Sequence, residues 1–416
     1  MVQLSDDCFA HGGELMATRD ALDLLSERLD RVTETEQIQT GKALGRVLSA
    51  DVVARTSMPP HDNAAVDGYA VRFTDLNGEG ETSLPVAARI AAGQAVPQDI
   101  TGKCALRIFT GAIVPDGFDT IFMQEDVRLD GGRVILPTGI KSGSNRRKAG
   151  EDFFEGDTLL RAGHRLRPQD LGLAAAGGHE RVPVSKPLRV ALFSTGDELL
   201  EPGVRLPEGA IHDSNRYTLM GLLATLKGEV TDLGILPDNK LKVQDALDRA
   251  AETHDMIITS GGVSVGEEDH VKAAVEALGR LHVWRLAIKP GRPLALGQVR
   301  HVPFIGLPGN PVAVMVTFLL IARPAMLRLM GASELEPRRY KLPAAFDFKK
   351  KGKRREWLRV HLVSKNGRLE VELFRRQGSG ILSSLVAADG LVELEEDLTE
   401  LRRGAMVDFL PFSEVL

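Results

Sequence analysis

Between residues 187 and 311 one pattern recurs: a short unbroken apolar run breaks into a glycine-bearing turn. Residues 188–193 run into Ser194-Thr195-Gly196-Asp197-Glu198, 256–259 into Ser260-Gly261-Gly262-Val263-Ser264, and 304–307 into Pro308-Gly309-Asn310-Pro311. A fourth run, 284–288, leads into Lys289-Pro290-Gly291-Arg292-Pro293. Apolar runs without strict alternation suit strands buried on both faces of a parallel sheet. Between them, 218–227 and 240–253 carry helical spacing, with Leu219, Leu222, Leu223 and Leu226 on one face. Strand, turn, helix, strand, repeated, predicts an open α/β sheet.

Such a sheet binds its ligand at the carboxyl ends of its strands, where these glycine turns fall. Glycine lets backbone N–H groups approach an oxyanion, and a following helix N-terminus favours an anion by roughly 0.3–1 kcal/mol. In the last turn Asn310 is placed to cap and Pro311 fits the first helical position. The turns also carry acids: Asp197 and Glu198 in the first, Glu267, Glu268 and Asp269 after the second, and Asp213 and Asp238 at other junctions. Carboxylates beside an anion-binding rim repel a phosphate unless a cation lies between, which points to a hard divalent metal such as Mg²⁺. Each acid taken alone is equally well a cap or a solvated charge; their concentration beside the turns of one sheet favours the functional reading.

The flanking chain changes period. Residues 18–29 read as an amphipathic helix and 47–54 as strand-like. Pro59-Pro60-His61-Asp62-Asn63-Ala64-Ala65-Val66-Asp67-Gly68-Tyr69-Ala70 is a stiff, turn-rich segment, as functional loops often are. Short runs at 87–91, 105–109, 120–123 and 134–136 predict a small β-rich domain. Asn145-Arg146-Arg147-Lys148 suits either a phosphate grip or a solvated basic loop. Residues 159–167 read as a strand and 170–176 as a short helix with Pro168 before it. From Tyr340 onward, period-two stretches at 358–363 and 369–373, separated by Lys365-Asn366-Gly367, predict a small antiparallel β domain. Its basic cluster, 349–351 and 353–355, reads as a solvated edge.

At 416 residues the chain is long enough for two to four domains. A net charge of −5 leaves no electrostatic footprint for nucleic acid. Two cysteines, Cys8 and Cys104, in no metal-type spacing, imply a reducing, cytoplasmic compartment. Acids in the first 17 residues argue against a signal peptide, and the apolar run 312–322 is about half a membrane span, so a buried helix is expected rather than a membrane protein. No dinucleotide fingerprint, P-loop, nucleophile elbow or H-E-x-x-H motif is present.

Together, Pro-x-x-Asp-Asn-x-Ala-x-Asp-Gly-Tyr-Ala at 59–70, Thr-Gly-Ala at 110–112, Gly-Glu-Asp at 150–152, Ser-Thr-Gly-Asp-Glu-Leu at 194–199, Ser-Gly-Gly-Val-Ser-Val-Gly at 260–266, Lys-Pro-Gly at 289–291 and Gly-Leu-Pro-Gly-Asn-Pro-Val at 306–312 form a set. In this order the set resembles the molybdopterin molybdenumtransferase family, the MoeA and gephyrin E-domain group of molybdenum cofactor biosynthesis. The resemblance implies a multidomain α/β protein of four domains. These are an elongated mixed α/β domain (1–50 with 151–186), a β-rich insert (51–150), an open three-layer molybdopterin-binding sheet domain (187–332) and a small C-terminal β-barrel (333–416).

It also implies a reaction, adenylylated molybdopterin plus molybdate giving molybdenum cofactor and AMP with a divalent metal such as Mg²⁺, in a cytoplasmic homodimer whose active cleft is shared. Other cofactor-biosynthesis or acceptor proteins are the implied partners. By the resemblance, Glu198, Asp238 and Asp269 hold the metal and act in catalysis. Ser194, Thr195, Gly196, Gly261, Gly262, Ser264, Lys289, Pro308, Gly309 and Pro311 line the ligand rim. The other subunit presents Asp62, Thr110, Arg147 and Asp152, with Lys289 and Arg147 neutralising anion charge. The chain departs from the family pattern at Ala64 (commonly serine), Val66 (methionine) and Arg292 (lysine), which puts a hydroxyl role at position 64 in doubt. A stand-alone adenylyltransferase or nucleotide hydrolase on the same sheet domain, which would lack the 59–70, 110–112 and 150–152 motifs, is the alternative enzyme; a non-catalytic scaffold is the third reading.

Overall fold

The structure, a computed structural model, describes residues 15–97, 100–262 and 270–416. Its centre is a seven-stranded sheet in the order Leu15–Met16, Gly279–Leu286, Pro293–Val299, Val302–Leu307, Met256–Ser260, Arg189–Thr195, Glu229–Leu236. The apolar runs become strands because both faces are covered. Leu188, Val190, Leu192 and Ile258 pack beneath the helices Thr18–Arg28 and Asn215–Thr225 in one core. Ala191, Phe193 and Ile257 pack beneath Lys240–Thr253 and His270–Leu278 in the other. The helix Lys240–Thr253 starts where Asn239 accepts a hydrogen bond from the Lys242 N–H at 3.1 Å.

The sheet is not wholly parallel. Pro293–Val299 runs antiparallel to both neighbours and turns into Val302–Leu307 through Arg300, whose φ is +53°. An unbroken apolar run records burial on two faces but not direction, so this hairpin was hidden in the sequence. The other strands all run one way, so the turns at 194–198, 260–262, 289–291 and 308–310 still share one edge.

The last turn feeds a continuous helical stretch over residues 311–329, with a π-helical turn at Phe318–Ala322. This stretch is long and apolar enough to cross a bilayer, but 94% of its apolar window is buried inside the protein. It is the buried helix expected from the apolar run 312–322 and extends beyond that run through Arg323. Arg323 is itself buried and donates to the Leu335 carbonyl at 3.1 Å, and burial pulls its pKa down to about 10. Asn310 occupies the position before the helix but makes no side-chain cap bond.

On the N-terminal side, Thr35–Gln39 pairs with Arg181–Ser185 and Val52–Val53 with Thr158–Leu160, so segments distant in sequence close on each other. Between them a six-stranded sheet forms in the order Thr120–Met123, Gly68–Val71, Ala105–Ile108, Thr82–Ile90, Arg133–Leu136, Arg128–Asp130. The strand expected over 159–167 is confined to Thr158–Leu160, and Pro168 is the first residue of its helix (Pro168–Ala176) rather than the residue before it.

At the C-terminus, Arg355–Lys365 turns into Arg368–Leu373 through Asn366-Gly367, both at positive φ as a two-residue hairpin turn requires. The sheet continues through Gly390–Leu394, Met406–Pro411 and Tyr340–Pro343, and a bridge from Ala344 to Val371 closes it into a barrel. Cys104 is buried and free; Cys8 lies outside the described residues.

The helix Pro168–Ala176 starts on a buried acid. Asp170 accepts from the Arg167 N–H (2.8 Å), the Arg167 guanidinium (2.9 Å) and His164 (2.7 Å). Burial alone would raise its pKa; those hydrogen bonds override it and hold the carboxyl far below the usual carboxylate range. Because the folded value lies below the unfolded one, near pH 4, the stabilisation is complete above that pH and is lost as pH falls towards the folded value. Asp170→Asn is expected to lower stability at pH 7 by about 1–3 kcal/mol and to flatten the acid limb of the unfolding midpoint plotted against pH.

Candidate active site

The shared edge of the sheet opens into a cavity of about 740 Å³. The sheet supplies Thr195, Gly196 and Glu198, Gly261 and Gly262, Lys289 to Gly291, and Pro308 to Asn310; Asp238 and His270 close one side. The opposite wall is the barrel, through Phe348, Glu356, Trp357, Leu358, Arg359 and the 377–379 loop.

Two glycines are fixed by close approach. At Gly262 φ is +62°, and a Cβ would stand 2.5 Å from Thr195 Oγ1 and 2.6 Å from Val271 Cγ2. At Gly196, φ +147°, a Cβ would lie 2.5 Å from Glu198 Oε2, because the Glu198 carboxylate folds back across its own turn. Not every turn amide is free for a ligand: the Gly261 N–H donates to the Leu307 carbonyl at 3.2 Å, and the Val312 N–H to the Ser379 carbonyl at 3.0 Å.

The acids and bases stand in different elements. Glu198 and Asp238 come from the sheet, with His270 Nε2 4.0 Å from Asp238 Oδ1. Lys289, expected to neutralise anion charge, lines the cavity already paired with a carboxylate. Ile288–Lys289 leaves the sheet and pairs, parallel, with Arg355-Glu356 of the barrel. Lys289 Nζ then donates to both oxygens of Glu356, at 3.1 and 3.3 Å. Glu356 is 2% exposed, so the ammonium is anchored to a buried carboxylate.

Arg359 is the uncompensated charge. It is 1% exposed and donates to Ser384 Oγ (3.1 Å) and the Gly378 carbonyl (3.0 Å); among the described residues no carboxylate stands within ion-pairing distance. Burial pulls its pKa down to about 10, so it stays cationic at neutral pH. Period two assigns Arg359 to a solvent face, and no local signal distinguished it from an ordinary surface arginine; Glu356 and Gln377 were missed, while His270, near candidate acids in the sequence, reads there as a local hydrogen-bonding residue rather than a ligand.

The cavity thus gathers Thr195, Gly196, Glu198, Asp238, Gly261, Gly262, Lys289, Pro308 and Gly309. Ser194 is buried beneath the rim and Pro311 opens the helix; neither lines the cavity. Ser264 and Asp269 lie outside the described residues.

Asp62, Thr110, Arg147 and Asp152 lie in the N-terminal part and do not line this cavity. Asp62 accepts from the Ala149 N–H (2.8 Å) and pairs with Arg146 (3.3 Å), and Arg147 lies in register with Asn63. Thr110 donates its N–H and hydroxyl to Asp67 (2.8 and 2.7 Å), which draws the Asp67 carboxyl below its ordinary pKa. The Asp152 N–H binds the Met58 carbonyl at 3.0 Å. Ala64 is wholly buried in the core of this part, with Val66 packed against it.

Comparison with known proteins agrees with this arrangement along the chain. Residues 16–178 match the MoeA N-terminal region (domain I and II), 191–328 a probable molybdopterin binding domain, and 341–412 the MoeA C-terminal region (domain IV). These matches define a MoeA-type multidomain architecture. The molybdopterin molybdenumtransferase of Haemophilus influenzae is 38% identical over 94% of this chain and 97% of its own length. That of a Nostoc species is 37% identical over 82% and 80%. The crystal structure of a molybdopterin biosynthesis MoeA protein from Pyrococcus horikoshii superposes with a TM-score of 0.81 at 31% identity, covering 95% of this chain and 99% of that one. The chain belongs to the molybdopterin molybdenumtransferase family, enzymes of molybdenum cofactor biosynthesis.

Gly262 and Gly309 separate close packing from mere sequence pattern. Gly262→Ala forces a side chain into Thr195 and Val271 at a positive φ and is expected to destabilise by about 1–3 kcal/mol. At Gly309 a Cβ meets nothing within 4 Å, so Gly309→Ala should change the denaturant midpoint by no more than about 0.5 kcal/mol equivalent.

Proposed function

We propose that this cavity binds adenylylated molybdopterin and molybdate, and that the chain inserts molybdenum with release of AMP. The observation that carries the reading is one cavity in which glycine turns and two carboxylates of the sheet face the uncompensated Arg359 of the barrel. The glycine turns at Gly196, Gly262 and Gly309 receive the phosphate-bearing part of the substrate, which needs a close backbone and no intervening side chain. Arg359, with Lys289 beside it, takes the charge of the tetrahedral oxyanion. Phe348, Trp357 and Leu358 supply the apolar wall against which a planar ring system packs.

A divalent cation fits this donor set in a limited way. Among the described residues no three acid, histidine or cysteine side chains converge, but Mg²⁺ takes one or two carboxylates and completes its shell with water and substrate phosphate. Glu198 and Asp238 would hold it, with Asp269 as the third acid we assign there from the family motif. Bound there, it would neutralise charge between carboxylate and phosphate.

The active cleft is completed, in this reading, by a second copy of the chain. Asp62, Thr110, Arg147 and Asp152 gather around one ribbon away from their own cavity, beside Met58 and Phe154, which are 41% and 60% exposed. A polar cluster ringed by exposed apolar side chains is what a self-complementary interface presents.

Incubated with adenylylated molybdopterin, molybdate and Mg²⁺, the protein should release AMP in proportion to added molybdate, and chelation should abolish release. Release without molybdate dependence sinks the assignment. Glu198→Ala and Asp62→Asn should each reduce turnover by about 10- to 1,000-fold. After unfolding and joint refolding of the two inactive variants, a shared cleft restores about a quarter of wild-type activity, since half of the mixed dimer's sites regain both partners. A self-contained site restores none.

A further inference from the structure

We infer that Asn215 is a positioning residue: its amide clamps the end of the strand Met256–Ser260, where its glycine turn begins, to the turn after Val302–Leu307 and so sets the width of the phosphate cradle. This rests on the substrate reading given above. Asn215 Nδ2 donates to Ser260 Oγ at 2.9 Å and to the Gly309 carbonyl at 2.7 Å. Ser260 Oγ passes its own proton on to the Pro308 carbonyl at 3.3 Å. Three hydrogen bonds thereby join the strand end from which Gly261 and Gly262 depart to the turn that contributes Pro308 and Gly309 to the cavity.

The orientation of the amide is determined by its partners. A carbonyl oxygen only accepts, so the atom facing Gly309 must carry hydrogen; the Ser260 hydroxyl spends its proton on Pro308 and can only accept from Asn215. Oδ1 is left buried with no hydrogen-bond partner. The side chain does nothing for its own helix: Ser214, not Asn215, precedes Asn215–Thr225, and no side-chain cap bond forms there. An amide that leaves its acceptor unpaired while both donor bonds go to neighbouring turns acts on those turns.

The backbone does not do this job. Ser260 and Leu307 are the last paired residues of the two strands, and the Gly261 N–H to Leu307 bond closes the ladder. Among the described residues, Gly262 and Gly309 lie beyond that closure, where strand pairing no longer sets their separation. The helix start holding Asn215 is itself fixed, because the buried Arg216 binds Asp213 at 3.0 Å and also pairs with Asp232 and Glu201. Those three acids keep Arg216 protonated well above the ordinary range despite its burial. Glu201 belongs to the segment that follows Glu198, so one helix start braces three of the cavity's turns. Asn215 does not itself line the cavity.

The test uses the full-length protein with AMP as the probe, followed by calorimetry, and steady-state kinetics with molybdate as the second substrate. Asn215→Asp keeps the shape but turns a lone pair on the Gly309 carbonyl, and should weaken AMP binding about tenfold or more. Ser260→Ala removes one acceptor and should weaken it about threefold. In both, KM for the adenylylated pterin should rise while KM for molybdate, bound across the cavity at the barrel wall, stays within about twofold of wild type. Asn215→Ser combined with Ser260→Ala should lose less than the product of the single losses, because both act through one chain of bonds. Wild-type protein that fails to bind AMP overturns the substrate reading. Wild type that binds AMP, with Ser260→Ala and a folded Asn215 variant unaffected, or with both substrates' KM values raised equally, overturns the clamp. Ser260→Ala, which empties no large volume, carries the test by itself if Asn215→Asp does not fold.

Discussion

The cavity exists because two residues change sheets. Ile288–Lys289 leaves the end of the central sheet and is taken up as an edge strand by the barrel, in register with Arg355 and Glu356. The Arg355 N–H binds the Ala287 carbonyl at 2.7 Å, and Lys289 closes on Glu356. A second tie runs from the Val312 N–H at the helix start to the Ser379 carbonyl. Backbone bonds of this kind fix the barrel opposite the glycine edge more firmly than a side-chain interface would, since each broken bond leaves a donor or acceptor unsatisfied. Without them the turns would form one wall of an open surface.

That joint also sorts the charges. The sheet brings Glu198 and Asp238, the barrel brings Arg359, and Lys289 with Glu356 forms an ion pair across the seam. An anionic ligand lying along the cavity would therefore meet acids, which call for a cation, at one side and an uncompensated guanidinium at the other. Polarity of this sort orients a ligand that carries both phosphate and oxyanion without any single residue having to recognise both.

What the sequence made legible follows from range. Burial on two faces is a local property, so the apolar runs ending at Ser194, Ser260 and Leu307 were readable as strands, and the glycine turns after them as one rim. Direction is not local, which is why the hairpin of Pro293–Val299 with Val302–Leu307 was not seen. Arg323 ends the apolar run because an arginine is rarely buried, yet this one is buried with a donor on the Leu335 carbonyl and the helix runs on. Arg359 was invisible for the opposite reason: alternation put it on a strand, and only the barrel's packing against another part of the chain makes that strand, with Glu356 before it, a cavity wall. Ala64, which looked like a lost hydroxyl in a functional motif, packs into a core.

The pairing of Val52–Val53 with Thr158–Leu160 has a consequence for how the molecule tolerates change. Everything between these strands leaves and returns at one antiparallel base. The entropic penalty of closing a loop grows only with the logarithm of its length, so the base is nearly indifferent to the size of what it encloses. The intervening lobe is in effect a cassette. It can lengthen, shorten or be exchanged while the register of the strands beneath it, and the edge of the central sheet, stay as they are.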